Sequence, residues 1–297
     1  MMSKLGAAGV FLGTFLVGVA ILAQFWAGNV LAKTPLDVDT VTRAAGSAEF
    51  SSAAGLEVVP IKVTGITKSN TDKSDGDVIV FTSSSCIVKD IDDPGDCVSA
   101  DDPDARLVSA STDDFATDRK SAKAINDPKY LPAGTASHVG LVNKWPFGTE
   151  KKTYPYWSGT VGKAVNAVYD RTEKIDGLEV YVFDIDIPET PVEITEGLNG
   201  FYSAQTEISI EPKTGQIIDT VSHQERTLED GSPFLTIDVK YLDSTVADNV
   251  EEAGDNADQL NLLTKVVPLV GYIGGGLLLI AGIGLVLAAR RNEQADA

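Results

Sequence analysis

Histidine and cysteine are almost missing from this chain of 297 residues, which holds two of each and only 7% aromatic residues. Zinc-type sites draw on clustered Cys and His ligands. Here His138 and His223 lie far in sequence from Cys86 and Cys97, so neither a metal nor a cofactor is expected. Two histidines also leave little scope for general-base work at neutral pH. The chain lacks a G-x-S-x-G elbow, a P-loop, an H-E-x-x-H pair and a dinucleotide fingerprint after a strand. Carboxylate pairs such as Asp184 and Asp186 do occur. Among so many acids they arise by chance, and i, i+2 neighbours on a strand make one solvated face. The sequence therefore reads as that of a non-enzyme. Basic residues are also scarce, 24 against 43 acidic.

What the chain has instead is two long uncharged apolar runs. Leu5–Ala32 covers 28 positions and Val266–Ala289 covers 24. About 20 apolar residues span a bilayer as a helix, so each run is long enough. Between the runs remain 21 of the 24 basic residues, once Lys4, Arg290 and Arg291 are set aside. The same stretch keeps 41 of the 43 acidic residues, without Glu293 and Asp296, for a net charge of −20. Such a surface repels nucleic acid. Basic residues flanking spans favour the cytoplasm. The expected layout is a cytoplasmic segment 1–4, a first span 5–32, an extracytoplasmic domain 33–265, a second span 266–289 and a cytoplasmic tail 290–297. This describes a two-pass plasma-membrane protein with both termini inside. A cleaved signal peptide ending near Ala32 is the rival for the first run, but h-regions are shorter, so an uncleaved anchor is preferred.

The cysteines fit an oxidising compartment. Cys86 and Cys97 enclose a turn-rich acidic loop and read as one disulfide, with two unrelated thiols as the alternative. Period-two alternation marks strands at Glu57–Gly65, Asp77–Thr82, Arg106–Ser111, Val161–Asp170, Leu178–Ile187, Tyr202–Glu211 and Leu235–Tyr241. Pro212–Gly215 is a hairpin turn from which Gln216 resumes an extended course. So many strands on short loops imply a large antiparallel sheet that must curl, towards a barrel or half-barrel enclosing a cavity. The strands lack the outward apolar band of an outer-membrane porin. Asp243–Lys265 reads as a helix, with Thr245 and Asp248 as a capping box and an apolar stripe through Val246, Val250, Ala253, Ala257, Leu260 and Leu263. It should pack on the sheet and run into the second span. The fold class is α+β, a curved antiparallel sheet flanked by two transmembrane helices.

One segment departs from the acidic background. Lys144–Trp157 carries three lysines and five aromatics in fourteen residues. Its lysines Lys144, Lys151 and Lys152 could pair with a phosphate or acidic head group, and Trp145, Phe147, Tyr154, Tyr156 and Trp157 could line an apolar rim. The plainer reading is a loop whose aromatics plug the open end of the sheet. In the spans, Gly9 and Gly13 are four apart, as are Gly271 and Gly275, a spacing that allows close helix contact. They could pack the spans on each other, form an oligomer or dock a partner.

The sequence resembles a family of Actinobacteria, mainly mycolic-acid-bearing genera, that carries the label PorA-family porin. The resemblance covers nearly the whole chain and rests on Lys33–Thr40, Leu107–Arg119, the run Pro146-Phe147-Gly148-Thr149-Glu150-Lys151-Lys152-Thr153-Tyr154-Pro155 and Glu211–Gly215. It implies two spans around a periplasmic domain of curved-sheet, START-like, lipid-binding type, associated with lipoglycan and mycolate assembly in the envelope. No catalytic residue comes with it. The expected function is thus an envelope membrane protein that binds a lipid or glycolipid. The alternative is a ligand-free scaffold recruiting an envelope transporter or glycosyltransferase through its spans and acidic domain. A channel is the third reading, and conductance is expected to be absent.

Overall fold

The computed structural model describes residues 2–52 and 55–295, so Met1, Asp296 and Ala297 of the expected terminal segments lie outside the described residues. The chain forms two compact units, Thr34–Gly254 and, separately, the residues up to Lys33 together with those from Asp255 onward. The expected domain limits of 33–265 were wider because the helix that ends the domain runs on past it.

In the helical unit, α1 (Met2–Leu22) is followed by a π turn, Ala23–Ala27, and a short α2 (Gly28–Leu31). Helix α3 (Asp243–Asn261), whose residues from Asp255 onward belong to this unit, passes through a second π turn, Leu262–Val266, into α4 (Val267–Ala295). Pro268 has no N–H to offer the Thr264 carbonyl, and the π turn sits where that bond is missing. Windows within Lys4–Trp26 and Asp243–Asn292 are long and apolar enough to cross a membrane, with mean hydropathies of 2.3 and 2.2. The glycine spacing packs these two helices on each other. A Cβ on Gly13 would lie 2.7 Å from the Gly275 carbonyl oxygen, and one on Gly275 2.8 Å from that of Gly13. Gly271 meets Ala20 at 2.7 Å in the same way, and Gly9 meets the Gly282 backbone at 3.2 Å. Small residues are required wherever helix backbones approach this closely. Nearby, the Tyr272 hydroxyl donates to Gln24 Oε1 at 2.6 Å.

The other unit is one ten-stranded antiparallel sheet. Its strands are β1 (Asp39–Ser52), β2 (Gly55–Ser69), β3 (Val78–Lys89), β4 (Leu107–Asp118), β5 (Tyr154–Ser158), β6 (Lys163–Ile175), β7 (Leu178–Thr195), β8 (Leu198–Ile210), β9 (Ile217–Leu228) and β10 (Pro233–Tyr241). The order is β4-β3-β2-β1-β10-β9-β8-β7-β6-β5. The chain therefore enters at the centre, meanders out to one edge, crosses to the other and meanders back until β10 pairs with β1. Gly46 permits that central pairing, because a Cβ there would run into the Asp238 carbonyl. The expected strands were found, several of them longer. The residues between β4 and β5 bridge the two sheet edges: Ala124 donates to Gly140 and Ile125 to Ala116, while Leu141 donates to Pro155 and Trp157 donates back to Leu141, all at 2.7–2.8 Å.

Alternation sorts the strands into two faces. The inner face carries Phe183, Ile185, Ile187, Tyr202, Ala204, Ile208 and Ile210 and is capped by Leu141 and Trp145, forming the largest core. It continues through Ala48, Val59, Ile61, Leu235 and Ile237 on the central strands. Helix α3 lays Val246, Val250 and Ala253 on Val180 and Ile218, at one end of the opposite face. The expected capping box does not form. The Thr245 hydroxyl instead donates to the Arg43 carbonyl at 3.0 Å and accepts from the Arg43 N–H, tying the helix start to β1.

Candidate functional site

Four segments far apart in sequence meet at one place, and they are the same four that carry the family resemblance. The turn after β8 is organised by Glu211, a buried carboxylate that accepts from Lys213 N (3.0 Å), Thr214 N (2.7 Å) and the Thr214 hydroxyl (2.7 Å). Gly215 closes the turn at φ +75°, and a Cβ on it would strike the Trp145 carbonyl. Residues 145–149 are laid along this turn: Trp145 donates to Gly215 at 2.8 Å, Gly148 to Lys213 at 3.0 Å and Thr149 to Pro212 at 2.7 Å. Thr34 donates to the Arg119 carbonyl at 2.8 Å, and the Arg119 guanidinium returns a bond to the Thr34 carbonyl.

Lys144 lies at the junction. Its Nζ donates to Thr34 Oγ1 at 3.2 Å and sits 4.1 Å from the centre of the Phe147 ring. Desolvation lowers its pKa to about 8, with the nearby Glu211 charge pulling the other way. No described carboxylate forms an ion pair with it. An ammonium held this way is poorly hydrated and has no carboxylate in direct contact among the described residues.

The eight candidate residues do not share one recess. Lys144 and Phe147 occupy the junction. Trp145 is fully buried, stacked on Tyr156 with centroids 5.1 Å apart and tilted against Phe183 at 5.2 Å. Tyr154 is buried edge-on to Phe183, and burial pushes the Tyr156 hydroxyl pKa up. These three are packed against Phe183 and one another in the core. Lys151 is exposed, 4.8 Å from the Tyr181 ring, and Lys152 pairs with Glu150. Trp157 stands 4.9 Å from the ring of His138, a buried histidine bonded to Asp113 where the sheet edges are bridged. Sequence reasoning missed Thr34 and Glu211 as neighbours of Lys144, and Arg119 as the residue that holds Thr34. The turn around Glu211 was visible as a turn, but nothing local marks its carboxylate as buried.

Cys86 and Cys97 are bonded, with Cα atoms 5.8 Å apart. The acidic loop that follows β3 is also held by Arg43–Asp96 (2.8 Å), Lys62–Asp90 (3.0 Å) and Lys62–Asp93 (3.2 Å).

The polar face of the central strands carries an open groove of about 710 Å³, lined among others by Asp184, Asp186, Glu207, His223, Asp238 and Lys240. Burial, with Asp170 and Glu207 adding, raises the Asp184 pKa. His223 has its pKa raised chiefly by the hydrogen bond to Asp238 (2.7 Å), with Glu225 at 3.3 Å adding. A raised folded-state pKa gives stability that is present below the unfolded value and lost as pH rises through the folded one. The imidazole is 43% exposed, so solvent screens the pair. His223→Gln is accordingly expected to cost under about 1 kcal/mol at pH 5.5 and nothing at pH 9. Denaturation at both pH values checks this, and an equal loss at both would refute it.

This architecture is that of a membrane protein with two candidate spans and a curled, ten-stranded domain between them. A family model described as Porin PorA matches residues 5–284, and the chain belongs to that family. A relative named Porin PorA from Corynebacterium amycolatum is 26% identical over 243 residues, covering 68% of this chain and 61% of that one. The chain thus spans 61% of that relative's length. Among solved structures, an outer membrane lipoprotein-sorting protein domain from Vibrio parahaemolyticus aligns at 9% identity over 71% of this chain and 86% of its own. Its TM-score of 0.17 is too low to argue from, so the fold rests on this chain's own strand order.

Proposed function

We propose that the protein is a non-enzymatic envelope component whose extracytoplasmic domain binds an anionic lipid or glycolipid at the junction of Thr34, Lys144 and Phe147. The observation that carries this is Lys144, a poorly hydrated ammonium over an aromatic ring with no ion-pair partner among the described residues. A phosphate or acidic head group supplies a counter-charge in direct contact, and Lys151 and Lys152 extend the basic character along the same segment. Phe147 supplies the apolar contact, while Trp145, Tyr154 and Tyr156 hold the segment in place.

The test is pH-dependent. An anion binds the protonated amine, and the free amine has a pKa of about 8. Affinity for an anionic lipid, measured by native mass spectrometry or calorimetry on the full chain, is therefore expected to fall about tenfold per pH unit above that value. Lys144→Met should flatten the profile and weaken binding at pH 7. Lys151→Ala with Lys152→Ala should weaken binding more modestly, as expected for exposed charges. A flat wild-type profile together with unchanged affinity in Lys144→Met would sink the reading.

A further inference from the structure

The strand β9 breaks the rule of the inner face. Its inward positions alternate as Thr220, Ser222, Gln224 and Arg226, all polar, between the inward columns of β10 and β8, which are apolar apart from Thr206. The register fixes this: Arg226 pairs with Leu235 and Tyr202, Gln224 with Ile237 and Ala204, and Ser222 with Val239 and Thr206. The lower members of the column satisfy one another. Gln224 Nε2 reaches Ser222 Oγ at 3.3 Å, and Ser222 Oγ lies 2.8 Å from Thr206 Oγ1.

Arg226 does not join them. Its Nη1 is buried with no hydrogen-bond partner, and no described carboxylate pairs with it. Its Cζ lies 5.3 Å from the centre of the Tyr202 ring. Burial lowers its pKa, yet an arginine stays charged at any ordinary pH. A guanidinium nitrogen buried without a partner is costly, and a planar fork of donors matches an oxyanion bidentately. The residue also sits well away from Lys144. It lies in the end of β9 that runs into the β9–β10 hairpin, whereas Lys144 neighbours the Glu211 turn before β9 begins.

We propose that Arg226 is a second anion-binding position, one that takes an oxyanion borne on an apolar body, with Tyr202, Leu235 and Phe50 forming the surrounding wall. The register places Phe50 opposite Leu235 in the same cross-strand row. This goes beyond the reading at Lys144 and stands or falls separately from it.

The experiment uses the full chain in amphipol with three probes: lysophosphatidic acid, a monoacylglycerol with the same acyl chain, and inorganic phosphate. Thermal shift and native mass spectrometry read wild type, Arg226→Met and Lys144→Met. Without ligand, Arg226→Met is expected to melt a few degrees higher than wild type, because a desolvated charge has gone. Lysophosphatidic acid should raise the wild-type melting temperature, and at least half of that shift should vanish in Arg226→Met together with one adduct. The monoacylglycerol should not distinguish the two chains. A shift from inorganic phosphate that is lost in Arg226→Met would make a free oxyanion the source, and its absence would make it the amphiphile; both support the site. If Arg226→Met keeps every adduct and the full shift, the proposal is overturned. Loss of an adduct in Arg226→Met but not in Lys144→Met would support it while removing the reading at Lys144.

Discussion

Replacing Trp145 with alanine is expected to lower the stability of the sheet domain by about 3–5 kcal/mol, the cost of deleting a large buried aromatic and leaving a cavity. The indole has no exposed surface and touches both Tyr156 and Phe183. It also seats residues 145–149 on the Glu211 turn, so collapse into the vacancy would have to break that backbone pairing. Trp145→Phe makes the contrast. The indole Nε1 is buried without a partner, so phenylalanine loses volume but also removes an unsatisfied donor. Its cost should be about 1–2 kcal/mol, because relief of an unmet hydrogen bond offsets part of the lost packing. Chemical unfolding of the full chain in detergent, followed by far-ultraviolet dichroism of the sheet, measures both. A loss under about 1 kcal/mol for alanine would mean that the segment is not seated as described.

The second large effect concerns the disulfide. Cys86 and Cys97 are 11 residues apart, and closing a loop of that size removes unfolded-state entropy worth about 2–3 kcal/mol. The double variant Cys86→Ser with Cys97→Ser should lose about that much, and reduced wild type should match it. The three ion pairs that also hold the loop are largely solvent-exposed and compensate little. Protease nicking should therefore appear first within residues 90–104 of the variant. If reduction left stability and nicking unchanged, the ion pairs rather than the bond would be holding the loop.

These two cases also mark where the sequence could be read directly. The disulfide was inferable from two cysteines, a turn-rich spacer and an expected oxidising compartment, all local or compositional facts. Trp145 was visible as an unusual residue in an unusual segment, but whether it faced a ligand or the core depended on what covered it. Strands with clear alternation, such as β8 and β10, were found nearly in full. Strand β1 was missed because Ala44-Ala45-Gly46-Ser47-Ala48 has little intrinsic strand preference. It is extended because it has partners on both sides. Strand β5 was hidden in a short proline-bearing stretch, and it sits at an edge of the sheet, where proline is tolerated. Thr245 shows the same limit at one residue. A local rule offered it a cap, and a neighbouring strand offered a better-placed carbonyl.

By itself the sequence determined the two long apolar runs, the sign of the charge between them, the period-two strands and the helix that leads out of the domain. Each follows from composition or from a short repeat along the chain. Only the tertiary structure decided that the glycines of the two apolar helices face one another, that four distant segments meet around Lys144, and that Arg226 ends a polar column with its Nη1 lacking a hydrogen bond among the described residues. Those outcomes depend on which strands pair and in what register. A one-residue shift in register would send every one of these strand side chains to the other face.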